Sequence, residues 1–193
     1  MQRRITGRRP PLGPVLALLM ACMMAPAQGA SEAHHVANFL SGPGNLAYLG
    51  VGAVLPALTD HTNGTKHSLR VVDSVATAVA ASEILKLATH ERRPGNLHSY
   101  DSFPSGHATA AFALASNLSE YYPRQAPFWY LGAAAIGWSR VELRQHHTTD
   151  VLAGAALGYW VGKVEARSRH GLLLGPVFSA TGTGLGLTWR HGW

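Results

Sequence analysis

From Asn45 to Arg167 the chain is a succession of weakly charged, apolar segments, each cut off by proline, glycine or a polar turn. Val72, Val75, Val79, Ser82 and Lys86 recur at intervals of three and four, the spacing of one helix face. The segment over 105–122 follows one proline and stops before another, Pro123, which are boundary signals for a helix. By the same reasoning helices are expected over 45–58 (stopping near Pro56), 67–89, 105–122, 127–139 and 147–167. The uncharged stretches run about 12–15 residues, which suits core helices better than membrane spans of about 20. The expected fold is therefore all-α, a compact bundle of about five to six helices. Ala/Gly-rich helices of this kind also pack in lipid, so an integral membrane protein stays open as an alternative.

The two ends read differently. Arg3, Arg4, Arg8 and Arg9 precede an apolar stretch from Leu12 to Met24 and then the small residues Ala25-Pro26-Ala27. That order is the pattern of a secretory signal, here residues 1–27. The chain's formal charge of +6 owes much to those four arginines; without them 12 basic residues face 10 acidic ones, or +2. No basic stripe remains to argue for nucleic acid as a partner. Cys22, the one cysteine, falls within the signal, in a Leu19-Met20-Ala21-Cys22 stretch loosely resembling a lipoprotein cleavage box. Residues 28–44 read as a loose leader ending in the breaker Ser41-Gly42-Pro43-Gly44, and 45–170 as the helical domain. In the tail, 171–193, Leu185, Leu187 and Trp189 alternate with smaller residues. A short β-hairpin over about 173–190 is expected there, turning at Thr181-Gly182-Thr183-Gly184.

Three clusters carry chemistry. In the first, Lys86 lies late in a helix and Arg93 follows at a proline-marked exit, Pro94. A mobile point charge and a rigid two-pronged donor together suit a phosphate. The second, Pro104-Ser105-Gly106-His107, opens a helix. The first amides of a helix lack internal partners and attract anions, and Gly106 lets an anion come close to the backbone. The third contains Ser139-Arg140, His146, His147 and Asp150. His146 and Asp150 are four apart, so on a helix they would share a face. A carboxylate beside an imidazole fixes its tautomer and leaves the other ring nitrogen as nucleophile or base. Taken one at a time, each cluster also has an ordinary structural explanation: a helix-end cation, an N-cap, a surface His/Asp pair.

A metal centre built from His107, His146, His147 and Asp150 is an alternative use of the same residues. Lys86, Arg93 and Arg140 argue against it, since three cations repel a dication and attract a phosphate.

Lysine, six residues, Arg-Pro; then Pro-Ser-Gly-His; then Ser-Arg, five residues, His, three residues, Asp: this is the order found here from Lys86 to Asp150. It resembles the type 2 phosphatidic acid phosphatase (PAP2) superfamily, which also holds class A bacterial acid phosphatases and vanadium haloperoxidases. The resemblance implies a helical core and a metal-independent phosphatase with no cofactor. It implies that His146 attacks phosphorus, Asp150 orients His146, and His107 protonates the leaving oxygen and then assists water. It also implies that Lys86, Arg93, Ser105, Gly106 and Arg140 bind the phosphate, with no metal ligand in the set.

Export and an apolar body favour a lipid phosphate or diphosphate as substrate, at the periplasmic side and with a membrane surface as a partner. Phosphatidic acid, phosphatidylglycerol phosphate and undecaprenyl diphosphate are the expected types. A soluble acid phosphatase of broad specificity is the nearest alternative, and a haloperoxidase or a non-catalytic lipid-binding protein are remote ones. Oligomeric state has no signature in the sequence.

Overall fold

The structure is a computed structural model that describes residues 30–96, 98–168, 171, 174–179 and 182–187. The segment expected to be a signal, with Cys22, and the chain end at Trp193 lie outside the described residues. Six helices follow one another: α1 (Ala30–Ser41), α2 (Pro43–Thr59), α3 (Gly64–Thr89), α4 (Gly106–Tyr121), α5 (Ala126–Glu142) and α6 (Thr148–Arg167). A short 3-10 turn, Pro123–Gln125, joins α4 to α5. Among the described residues no helix is long and apolar enough to cross a membrane.

The bundle is built around α4. Every residue from Ala108 to Ser119 is buried, so this helix is enclosed on all sides rather than amphipathic. Five alanines in that stretch, at 108, 110, 111, 113 and 115, keep its surface thin enough for neighbours to approach. The tightest neighbour is α6, which offers Gly154, Gly158 and Gly162 at intervals of one turn. A methyl group on Gly158 would lie 2.1 Å from the carbonyl oxygen of Thr109, and one on Gly154 would lie 2.5 Å from that of Ser105. The two backbones therefore touch, and the N-termini of α4 and α6 meet: the Ser105 amide donates to the Asp150 carbonyl over 3.0 Å. At the other end of α6, buried Glu165 accepts from Arg70 of α3 at 2.5 Å.

Several boundaries differ from the sequence reading. Residues 30–41 are helix α1 rather than a loose leader, packed on α5 and anchored by wholly buried Ala37. Pro56 does not end α2; it sits in the last turn, where its carbonyl accepts the Asp60 amide at 2.9 Å. The α3 helix starts three residues early because Asp60 accepts the amides of Thr62 and Asn63, both at 3.0 Å, and turns the chain into it. In the tail, β1 (Leu174–Ser179) pairs antiparallel with β2 (Gly182–Leu187), a hairpin as expected. Its turn is not where expected, since Gly182, Thr183 and Gly184 pair with Ser179, Phe178 and Val177 as part of β2. The alternating pattern that marks the strand simply continues back to Gly182.

Candidate active site

Three chain segments converge where the starts of α4 and α6 meet: the end of α3 with the loop after it, the start of α4, and the α5–α6 connection. The loop between α5 and α6 doubles back on itself. Arg144 takes a left-handed conformation (φ 49°), and the amides of Gln145 and His146 return to the Arg140 carbonyl at 3.0 and 3.2 Å. His146 thus sits ahead of α6 and not on it, so it shares no helix face with Asp150. His147 caps the helix, its amide donating to the Asp150 carboxylate at 2.8 Å.

His146 is buried, and its Nδ1 lies 2.7 Å from the carbonyl oxygen of Ser102. A carbonyl can only accept, so Nδ1 carries the proton and Nε2 of the neutral ring keeps its lone pair. Asp150 stands further off, its Oδ2 3.7 Å from the same nitrogen. That oxygen instead accepts from the Ser102 hydroxyl at 2.5 Å. Ser102 therefore links the two: its carbonyl orients the ring, and its hydroxyl holds the carboxylate. Burial first, then Arg93 and Arg140, lower the His146 pKa to about 4, against the opposing pull of the Ser102 carbonyl and Asp150.

Arg93 is held by the carboxylate of Asp101 through two bonds of 2.8 and 2.7 Å, and by Gln145 at 3.1 Å. The Arg93 hydrogen bond pulls the Asp101 pKa far below the usual carboxylate range. Lys86 bonds Glu83 at 2.7 Å, one turn back on α3. A methyl group on Gly106 would lie 3.4 Å from the Lys86 amine, so the lysine faces the first turn of α4 directly. Ser105 is the N-cap residue of α4, yet its hydroxyl makes no capping bond and is buried with no hydrogen-bond partner among the described residues. Arg140 Nε is buried and unpartnered in the same way, while its NH1 donates to the hydroxyl of Ser41. Burial, followed by Arg93, lowers the Arg140 pKa to about 10, which leaves it charged at neutral pH. Burial, followed by Arg140, lowers the His107 pKa to about 4, with Lys86 and Arg93 adding to the effect and the Ser41 backbone opposing it.

All eight residues singled out in the sequence thus belong to one connected site. Lys86, Arg93 and Arg140 act on His107, Arg93 and Arg140 act on His146, and Gly106 and Ser105 tie the start of α4 to Lys86 and Asp150. Buried donors without partners are costly unless a ligand satisfies them, and here the Ser105 hydroxyl and Arg140 Nε belong to a site that Lys86, Arg93 and Arg140 make positive, a setting suited to a small anion. The family model that matches residues 68–172 is described as the PAP2 superfamily, and it covers every one of these positions.

The chain belongs to the PAP2 superfamily. Among its relatives, a lipid A 1-phosphatase of Rhizobium etli is 32% identical over 108 residues, covering 48% of this chain and 47% of that protein. A lipid A 1-phosphatase of Porphyromonas gingivalis is 38% identical over 68 residues, 33% of this chain and 15% of the relative. The chain thus spans about half the length, or less, of the curated relatives it matches. The crystal structure of Aquifex aeolicus LpxE superposes with a TM-score of 0.60 over 79% of this chain and 94% of that one, at 21% identity. The likeness in fold therefore extends over more of the chain than the 68–172 segment matched by the family model.

Four contributors carried no signal in the sequence. Ser102 acts partly through a main-chain carbonyl that any residue type would offer. Asp101, Gln145 and Ser41 are ordinary polar residues until the fold brings them to an arginine. The metal alternative takes a different form from the one considered above. Among the described residues, Glu91, His147 and Asp150 have ligand atoms within 4.8 Å of one another, whereas His107 and His146 are not in that group.

Proposed function

We propose that this PAP2 chain is a metal-independent phosphatase acting on a lipid phosphate or diphosphate through a phosphohistidine intermediate. The observation that carries this reading is the bond from His146 Nδ1 to the Ser102 carbonyl, which leaves Nε2 as the nucleophile near Arg93 and Arg140.

The phosphoryl oxygens take up the unpaired donors: Arg140 Nε, the Ser105 hydroxyl and the opening amides of α4, with Lys86 and Arg93 adding charge. His146 Nε2 attacks phosphorus as the bond to the leaving oxygen breaks, and protonated His107 gives its proton to that oxygen. The ring of His146 becomes cationic, which the Ser102 carbonyl and the Asp150 carboxylate stabilise. Neutral His107 then takes a proton from water as the water oxygen attacks phosphorus. The P–N bond breaks, orthophosphate leaves, and both histidines return to their starting states. Phosphoryl transfer mainly needs positioning and stabilisation of spread negative charge, which this cage supplies. Acid–base help from His107 is worth about 10²–10⁴ in rate.

A lipid leaving group is favoured by two observations. The relatives are lipid A 1-phosphatases, and Ile84 and Leu87, on the same last turns of α3 as Lys86, are 67% and 73% exposed. Exposed apolar side chains at that end of α3 suit a substrate whose remainder is acyl chain. We place the enzyme at the periplasmic face, on the basic–apolar–small pattern of its first 27 residues.

A turnover panel of lipid A, phosphatidic acid, phosphatidylglycerol phosphate, undecaprenyl diphosphate and a chromogenic phosphomonoester tests the substrate class. A preference of at least tenfold in kcat/KM for one lipid is expected. Equal rates on the water-soluble ester would instead assign a broad acid phosphatase.

A further inference from the structure

We propose that Ser41 is a positioning residue of this site, holding the Arg140 guanidinium with its side-chain hydroxyl. The proposal rests on the phosphatase reading above and adds to it a residue that lies outside the segment matched by the family model.

Ser41 is the last residue of α1, before the Gly42-Pro43-Gly44 break. Its place is well determined. Ala37, one turn earlier, is wholly buried, α1 packs along α5, and the Gly42 amide closes the helix on Asn38 at 3.1 Å. From there the Ser41 hydroxyl accepts from Arg140 NH1. A residue at the end of α1 thus touches the oxygen clamp of the third cluster.

The chemical type of the contact matters. Arg93 is oriented by a carboxylate, Asp101, and Lys86 meets another, Glu83. Both partners draw on the charge that the phosphate needs. Arg140 is oriented by a neutral hydroxyl, which fixes the plane of the fork without offsetting its charge. An arginine binds a phosphate well only when that plane is fixed beforehand, since ordering the side chain at binding costs affinity. With NH1 tied to Ser41, the buried and unpartnered Nε is presented to the anion.

The test compares wild type, Ser41→Ala and Ser41→Thr as full chains, and repeats Ser41→Ala in an Arg140→Ala background. Two quantities are read: the Kd for inorganic phosphate by calorimetry, and kcat and KM on the best substrate of the panel. Ser41→Ala is expected to weaken phosphate binding about three- to tenfold, the loss of one hydrogen bond to a charged group. KM should rise in step, the melting temperature should hold, and Ser41→Thr should return both values to within about twofold. In the Arg140→Ala background, Ser41→Ala should have no further effect on the phosphate Kd. Wild-type values for Ser41→Ala would overturn the proposal, as would an undiminished effect in the Arg140→Ala background. If wild type binds phosphate in a Ser41-dependent way but turns over nothing in the panel, the phosphatase reading fails and the positioning role stands. Normal turnover with an indifferent Ser41 sinks the positioning role alone, and a wild type that binds no phosphate sinks both.

Discussion

The Asp150 carboxylate lies 3.7 Å from Nδ1 of His146, beyond hydrogen-bond reach, although the two residues are joined at one remove through Ser102. The carboxylate therefore acts on His146 as a nearby charge and as the anchor of Ser102, and the ring is oriented by a backbone carbonyl that no substitution removes. Ser102→Ala should leave the ring in place, release Asp150 Oδ2 from one of its two donors, and lower kcat about tenfold with KM little changed. Asp150→Asn should cost more, about 10²–10³ in kcat, because the imidazolium of the intermediate loses its countercharge. Steady-state kinetics on both variants checks the order.

The lowered pKa values of His146 and His107, both about 4, set a pH window for stability. Each ring binds a proton more readily in the unfolded chain, near pH 6.5, than in the folded one. The unfolded state therefore gains protons first as pH falls. The stability contributed by the buried neutral rings is complete above about pH 6.5 and is lost as pH falls through about 4. Denaturant midpoints between pH 7 and 4 should fall, and the fall should shrink in a His146→Gln variant.

The same shift bears on turnover. His107 must carry a proton in the first step, yet three cations disfavour it in the free site. A bound phosphate dianion offsets them, so the basic limb of kcat should lie at least about one pH unit above that of kcat/KM. Coincident limbs would mean that phosphate does not act on His107.

Lys86 shares its charge with Glu83. Glu83→Gln should free the lysine and lower the KM and the inhibition constant for inorganic phosphate about two- to fivefold, an effect that fades at high salt. An unchanged or raised KM would place the pair outside the binding step.

Gly158 sets how closely α6 approaches α4, and through that approach the Ser105–Asp150 contact. Gly158→Ala inserts a methyl 2.1 Å from a backbone oxygen that has no room to move. It should destabilise the chain by about 3 kcal/mol, the upper part of the overpacking range, and lower Tm by about 6–12 °C.

The eight motif residues, Lys86, Arg93, Ser105, Gly106, His107, Arg140, His146 and Asp150, stood out in the sequence because phosphate chemistry would need such groups at fixed separations. Five of the six helices were legible from spacing and prolines. What escaped was whatever depends on the backbone or on contacts distant in sequence. The i,i+4 spacing of His146 and Asp150 suggested a shared helix face, but Arg144 turns the chain and puts His146 before the helix. The polar Glu32-Ala33-His34-His35 start disguised α1 as a leader, since its burial comes from the small Ala37 rather than from a broad apolar stripe. Ser41, at its end, looked like part of a breaker and proved to be a contact to Arg140.

Phosphate release by the purified mature protein, with EDTA present and beside His146→Ala, tests the central claim most directly. Acid-labile phosphate bound to the wild-type protein during turnover, EDTA-resistant release, and loss of both in His146→Ala are the predicted results. Activity that survives in His146→Ala, or that EDTA abolishes, would contradict the phosphohistidine account and turn attention to Glu91, His147 and Asp150 as metal ligands.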